Sequence, residues 1–116
     1  MSRSRSAVAA TLRESAPVFA ALGDGTRLRL VSRLSAEGPL SITRLSEDAG
    51  VTRQAVTKHL VTLADAGLAR NRREGREQIW EIEPRKLAIA RRCLDDIADQ
   101  WSAALDRLKS FVEEDT

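Results

Sequence analysis

The stretch Ser41–Gly67, SITRLSEDAGVTRQAVTKHLVTLADAG, decides how the chain folds. Ser41 is a hydroxyl residue placed to cap a helix, and Ile42, Leu45 and Ala49 follow it at helical spacing. Gly50 supplies the left-handed residue that a tight turn needs. Thr52 caps a second helix running to about Ala66, and Gly67 stops it. Two short helices joined by a glycine turn make a helix-turn-helix, and residues 41–67 are predicted to form one.

The second helix has two unlike faces. At 100° per residue, Arg53, Gln54, Thr57 and Lys58 fall within an arc of about 140°. Val56, Leu60 and Leu63 cluster on the other side. One face packs and the other offers donors. Arginine pairs with guanine, glutamine with adenine, and threonine or lysine with bases or phosphate. All four polar residues sit in the first two turns, the part of such a helix that enters the major groove. Taken alone, the same pattern describes a solvated face on an ordinary helix. The glycine turn before it and the basic segment after it favour double-stranded DNA. Thr52 and His59 complete the candidate DNA contacts on this helix. His59, the only histidine, lies toward the packed flank, where a packing or backbone-bonded role competes with a phosphate contact.

Residues 69–82 read as a β-hairpin wing, with Glu74-Gly75 as the turn and Ile79, Trp80 and Ile82 as β-formers. Arg70, Arg72, Arg73 and Arg76 surround the tip, a charge density suited to straddling a phosphate backbone. Asn71 and Gln78 carry base-reading chemistry, but no pattern singles them out.

Upstream, residues 1–6 alternate Ser and Arg after Met1 and are expected to be a disordered tail. Residues 7–116 are then a single winged helix-turn-helix domain. Residues 7–22 form a first helical stretch with Val8, Leu12, Phe19 and Leu22 apolar. Pro17 inside it predicts a fresh helix start near Ser15. Gly23-Asp24-Gly25 breaks the chain, and Leu28, Leu30, Val31 and Leu34 mark a short amphipathic helix that Gly38-Pro39 ends.

Downstream, Pro84 opens a helix predicted over residues 84–112. Leu87, Ala90, Leu94, Ile97, Trp101, Ala104, Leu108 and Phe111 form an unbroken heptad seam. A helix of about 28 residues is roughly 42 Å long, more than a small three-helix core can cover. The excess stripe is assigned to a twofold homodimer, with Phe19, Leu22, Leu94, Ile97, Trp101, Leu105 and Leu108 at the interface. Cys93 lies one step off the seam. Its place near the dimer axis would permit an intersubunit disulfide, but Asp95 and Asp96 disfavour the thiolate, and it reads as a small structural thiol.

The bulk numbers agree. A chain of 116 residues is one domain by length, and 42% hydrophobic content with 3% aromatics suits a mainly α fold with a small β-hairpin wing. Net charge is only +2, but it is unevenly placed. Arg53–Arg76 holds six basic residues and two acidic ones, whereas Leu94 to the end holds seven acidic residues against Arg107 and Lys109. A polyanion partner is therefore expected for the middle only. One cysteine excludes an internal disulfide. No apolar run could span a membrane, and AVAA after MSRSRS is too short for a signal-peptide core, so a cytoplasmic protein without a membrane partner is expected. Catalysis is not expected. Serine–histidine chemistry would rest on His59 inside the reading helix, and Gly23-Asp24-Gly25 is too short for a phosphate loop.

The assembled motifs resemble those of the ArsR/SmtB-type winged helix-turn-helix repressors. Phe19-Ala-Ala-Leu-Gly-Asp-Gly-Thr-Arg-Leu-Arg-Leu30 is similar to the family's opening. Val51-Thr-Arg-Gln-Ala-Val-Thr-Lys-His-Leu60, with Leu63 and Ala66-Gly67-Leu68, is similar to its recognition segment, and Arg73-Glu-Gly-Arg76 to its wing. The resemblance covers residue 17 to about 112. It implies a homodimer that represses transcription from a partly palindromic operator, commonly released by an effector. Many members sense metal through Cys-x-Cys before the recognition helix or Asp/His pairs on the last helix. Here the first position set is Ser41-Ile42-Thr43, and the last helix has no histidine. Asp95, Asp96 and Asp99 are carboxylates alone, so no metal or other cofactor is expected. An unknown small-molecule effector has room between the last helix and the core, though no residue set announces one. The competing reading is a winged-helix protein–protein interaction module without a specific DNA target.

Overall fold

In the computed structural model, residues 3–114 are described. Helix α1 spans Arg5–Leu22, α2 Gly25–Glu37, α3 Ile42–Ser46, α4 Arg53–Asp65 and α5 Pro84–Glu114. Strands β1 (Leu40–Ser41), β2 (Ala69–Glu74) and β3 (Glu77–Ile82) form one antiparallel sheet in the order β1-β3-β2.

Local chemistry sets most of these boundaries. Ser4, Asp24, Ser41 and Thr52 are N-caps whose side chains accept from the backbone N–H three residues on. Gly67 ends α4 with φ +77°, its N–H donating to Ala64 O while the Leu68 N–H donates to Leu63 O. This is a Schellman end, and its companion apolar pair, Leu63 with Leu68, is fully buried. The strand pair opens directly from it.

The first helix departs from expectation. It begins at Arg5 because Ser4 caps it, so the tail expected over residues 1–6 is already helical at its end, and Met1 and Ser2 lie outside the described residues. There is no fresh start near Ser15, and α1 runs through Pro17. Pro17 and Arg13, whose carbonyl loses its partner, are both exposed, so the lost bond falls on the solvent side. The packed face is also rotated. Thr11, Ser15, Val18 and Ala21 are buried, whereas Leu12 is half-exposed. These small side chains let α1 lie against Ala90 and Cys93, the buried residues of α5. Cys93 therefore faces its own domain and not a dimer axis, which suits the structural-thiol reading.

The core joins Val18 and Ala21 of α1, Leu30, Val31 and Leu34 of α2, Ile42 and Leu45 of α3, Val56, Leu60 and Leu63 of α4, and Trp80 of β3. Helix α5 leaves this core. Its Leu87 packs on it and Ala90 is buried, but Leu94, Ile97, Trp101, Leu105, Leu108 and Phe111 are exposed. Phe19 and Leu22, expected at a dimer interface, are half-buried against the core of their own protomer.

Candidate nucleic-acid interface

Helix α4 is held by its apolar side. Val56, Leu60 and Leu63 are completely buried, and Arg53, Gln54, Thr57 and Lys58 are exposed on the other face. The short α3 braces it from behind, and Arg33 of α2 locks α3 in place. The Arg33 guanidinium donates to the carbonyl oxygens of Arg44, Leu45 and Glu47, which the five-residue helix cannot satisfy itself. Gly50 is left-handed as expected (φ +71°), and Asp48 also takes a positive φ of 60°, which the sequence did not announce. Among the described residues, the side chains of Arg53, Gln54 and Lys58 have no hydrogen-bond or ion-pair partner. Thr57 Oγ1 donates to the Arg53 carbonyl. Thr52 spends its hydroxyl on the α4 cap, accepting from Ala55 N at 3.1 Å.

His59 belongs to a different arrangement. Arg27 Nη1 lies 3.2 Å from His59 Nδ1, and Asp24 Oδ2 lies 3.9 Å from the same nitrogen. Arginine can only donate, so Nδ1 accepts and the ring proton sits on Nε2. Arg27 also donates through Nε to the Ala21 carbonyl at the end of α1. The histidine thus ties α4 to α1 and α2, the bonded role weighed against a phosphate contact. Asp24 has its carboxyl held below the usual range, first by the backbone N–H of Arg27 and further by the nearby Arg27 guanidinium charge.

The wing divides its arginines. The turn residues are Gly75 and Arg76, with Glu74 opposite Glu77, one residue later than expected. Gly75 takes φ +61° and Arg76 does not have positive φ, the glycine-first pattern of a type II′ turn. Arg70 donates to Glu81 at 3.0 Å and to Glu83, and Arg72 pairs with Glu74 and Glu81, both at 3.0 Å. Glu81 is correspondingly held below the usual carboxylate range, by hydrogen bonds from Arg70 first and Arg72 second. Arg70 and Arg72 are therefore paired within the hairpin in the protomer. Arg73 makes only a long bond to the Gly75 carbonyl, and Arg76 has no partner among the described residues.

Alternation along the strands puts Asn71, Arg73, Gln78 and Trp80 on one face. That face looks onto α4 across a cleft lined by Arg53, Thr57, Val61, Asn71 and Gln78, with Ile42 and Trp80 at its floor. Asn71 and Gln78 were unselected by the sequence because only the register reveals which side of the hairpin they occupy.

The chain resembles known proteins in this whole arrangement. A helix-turn-helix domain model matches residues 22–72. The HTH-type transcriptional regulator Rv2034 of Mycobacterium tuberculosis is 36% identical over 103 residues, 89% of this chain and 92% of the relative. An ArsR-like transcriptional regulator from Rhodococcus superposes with a TM-score of 0.74 at 33% identity, covering 88% of this chain and 95% of the other. The chain belongs to the ArsR/SmtB family of winged helix-turn-helix regulators. A third likeness bears on assembly. The homodimeric winged helix-turn-helix DNA-binding domain of Mb0332 from Mycobacterium bovis has a TM-score of 0.62 and 28% identity, covering 86% of this chain and 92% of that domain. Among the described residues, no three histidine, cysteine or acidic side chains come together as a metal site, and no helix is long and apolar enough to cross a membrane.

Proposed function

We propose that this family member is a cytoplasmic, non-enzymatic repressor that binds a partly palindromic DNA operator as a homodimer. The observation that carries the reading is the exposed first half of α4. Arg53, Gln54 and Lys58 have no partners within the protomer, on a helix whose opposite face is fixed by three completely buried residues. A helix backbone held this way needs no reordering to present these donors to a groove. Arg73 and Arg76 at the wing supply phosphate contact beside the groove. The exposed stripe of α5, from Leu94 to Phe111, is the dimer surface, to which Phe19 and Leu22, half-buried at the far end of α1 from the Arg3–Asp96 pair, add only their remaining exposure. Release by a small-molecule effector fits the apolar cleft between α2, β3 and α5, lined by Leu34, Pro39, Ile82 and Leu87. This cleft lies between the reading head and the dimer helix.

Footprinting of the purified protein on the DNA upstream of its own gene tests the proposal. Two protected half-sites about one helical turn apart are expected, unchanged by added zinc. Weak, salt-sensitive binding with no protected site would overturn it.

A further inference from the structure

One polar side-chain atom in the cleft between α4 and the wing is buried without a partner. Gln78 Oε1 is buried and accepts no hydrogen bond, the only such side-chain atom among the described residues. Buried acceptors are almost always paired, because an unpaired one forfeits its hydration with nothing in return. The same cleft is lined by Arg53, whose guanidinium has no partner either. An acceptor lacking a donor and a five-donor group lacking an acceptor thus belong to residues that line one cleft.

We propose that Gln78 is the positioning residue for base readout by Arg53, resting on the operator-binding reading above. In the complex, the guanidinium donates one N–H to Gln78 Oε1 and two others to a guanine O6 and N7. Five N–H donors in a planar fork suffice for both partners at once. The strand holds Gln78 rigidly. Its residue pairs with Arg73 in the ladder, and its neighbours Ile79 and Trp80 are buried. The glutamine thereby removes rotamer freedom from a long side chain that would otherwise have to be ordered by the base alone. The unpaired oxygen in the free protein is the stability cost of that arrangement. Asn71, opposite Trp80 on the same face, borders the same cleft.

The combination makes a signature that a merely structural glutamine would not give. Gln78→Met removes the acceptor at similar volume. The free protein should melt at the same or a higher temperature, because an unsatisfied atom has been deleted. Binding should be measured by anisotropy on a duplex recovered by selection from random-sequence DNA with the wild-type protein, and on an unrelated duplex of equal length. Gln78→Met should lose about tenfold affinity for the selected duplex and none for the unrelated one. Gln78→Glu, which keeps an acceptor, should retain the base preference. In an Arg53→Ala background, Gln78→Met should change nothing further, the mark of a shared interaction. The proposal is overturned if Gln78→Met keeps full preference, if its loss adds to that of Arg53→Ala, or if the free protein is clearly destabilised. A wild-type protein that selects no sequence would instead overturn the operator-binding reading itself, and this proposal with it.

Discussion

Single residues here divide into those that act locally and those that act across the fold. Ser41, Thr52, Gly50 and Gly67 were legible in the sequence because a cap or a left-handed turn is decided within three or four residues. The bond between Arg27 and His59, which are 32 residues apart, was not, because only tertiary packing brings them together. Asp24 belongs to both groups. It caps α2 by accepting from Arg27 N at 3.0 Å and stands beside His59. That backbone bond lowers its carboxyl pKa below the ordinary value. A folded pKa below the unfolded one means the carboxylate's contribution is complete above about pH 4 and is lost as pH falls through the folded value. Asp24→Ala should therefore melt a few degrees below the wild-type protein at neutral pH, with the gap narrowing as pH falls below about 4. A gap of constant size in calorimetric scans across that range would show that the carboxylate's charge is not what stabilises this helix start.

At the scale of elements, the wing shows how register converts composition into function. The hairpin was visible from its glycine turn and β-branched or aromatic second strand. Which of its arginines stay unpaired was not. A turn centred on Glu74-Gly75 would set Arg70 opposite Ile79, whereas the observed turn sets it opposite Glu81, and the ion pairs with Glu81 and Glu83 follow. The two-residue strand β1, which pairs Leu40 with Trp80, was likewise hidden, since so short a strand leaves no alternation to read. The division of the arginines has a direct consequence. Arg73→Ala or Arg76→Ala should weaken binding to every duplex alike. Each should flatten the slope of log affinity against log salt by about 2 in a dimer, at roughly 0.9 per phosphate contact. Arg70→Ala and Arg72→Ala should leave the slope where it was, because those guanidiniums are already held by carboxylates. An equal loss from all four would mean that the hairpin's ion pairs open on DNA.

The molecule as a whole is too extended to be a finished monomer. Its radius of gyration is 19.0 Å and its longest extent 69 Å, where a compact chain of this length has a radius of about 13 Å. Helix α5 accounts for the difference, since beyond Cys93 none of its residues is buried. The heptad seam was readable because its spacing is regular. The point where it stops serving its own core, between Ala90 and Leu94, was set by the reach of α1, whose start is anchored there by the Arg3–Asp96 ion pair. Contiguous apolar surface beyond roughly a few hundred Å² is rare on monomers, and in the proposed homodimer a second copy of α5 would cover it by symmetry. Six acidic residues from Asp95 to Glu114 lie along the same helix beyond the core, so phosphate repulsion there would turn the basic end of the proposed dimer toward DNA. Trp101 is 67% exposed in the protomer, so Trp101→Glu should leave the fold intact and break only the dimer. Sedimentation should give twice 12.8 kDa for the wild-type protein and a single protomer for the variant. With Arg53 on a base, Lys58, Arg73 and Arg76 give three cations per protomer for phosphate, hence a salt slope of about −5 for the dimer and half that for the variant. A Trp101→Glu protein that stayed dimeric and kept the full slope would move the interface off α5, to the flank of α1 where Leu12 is exposed.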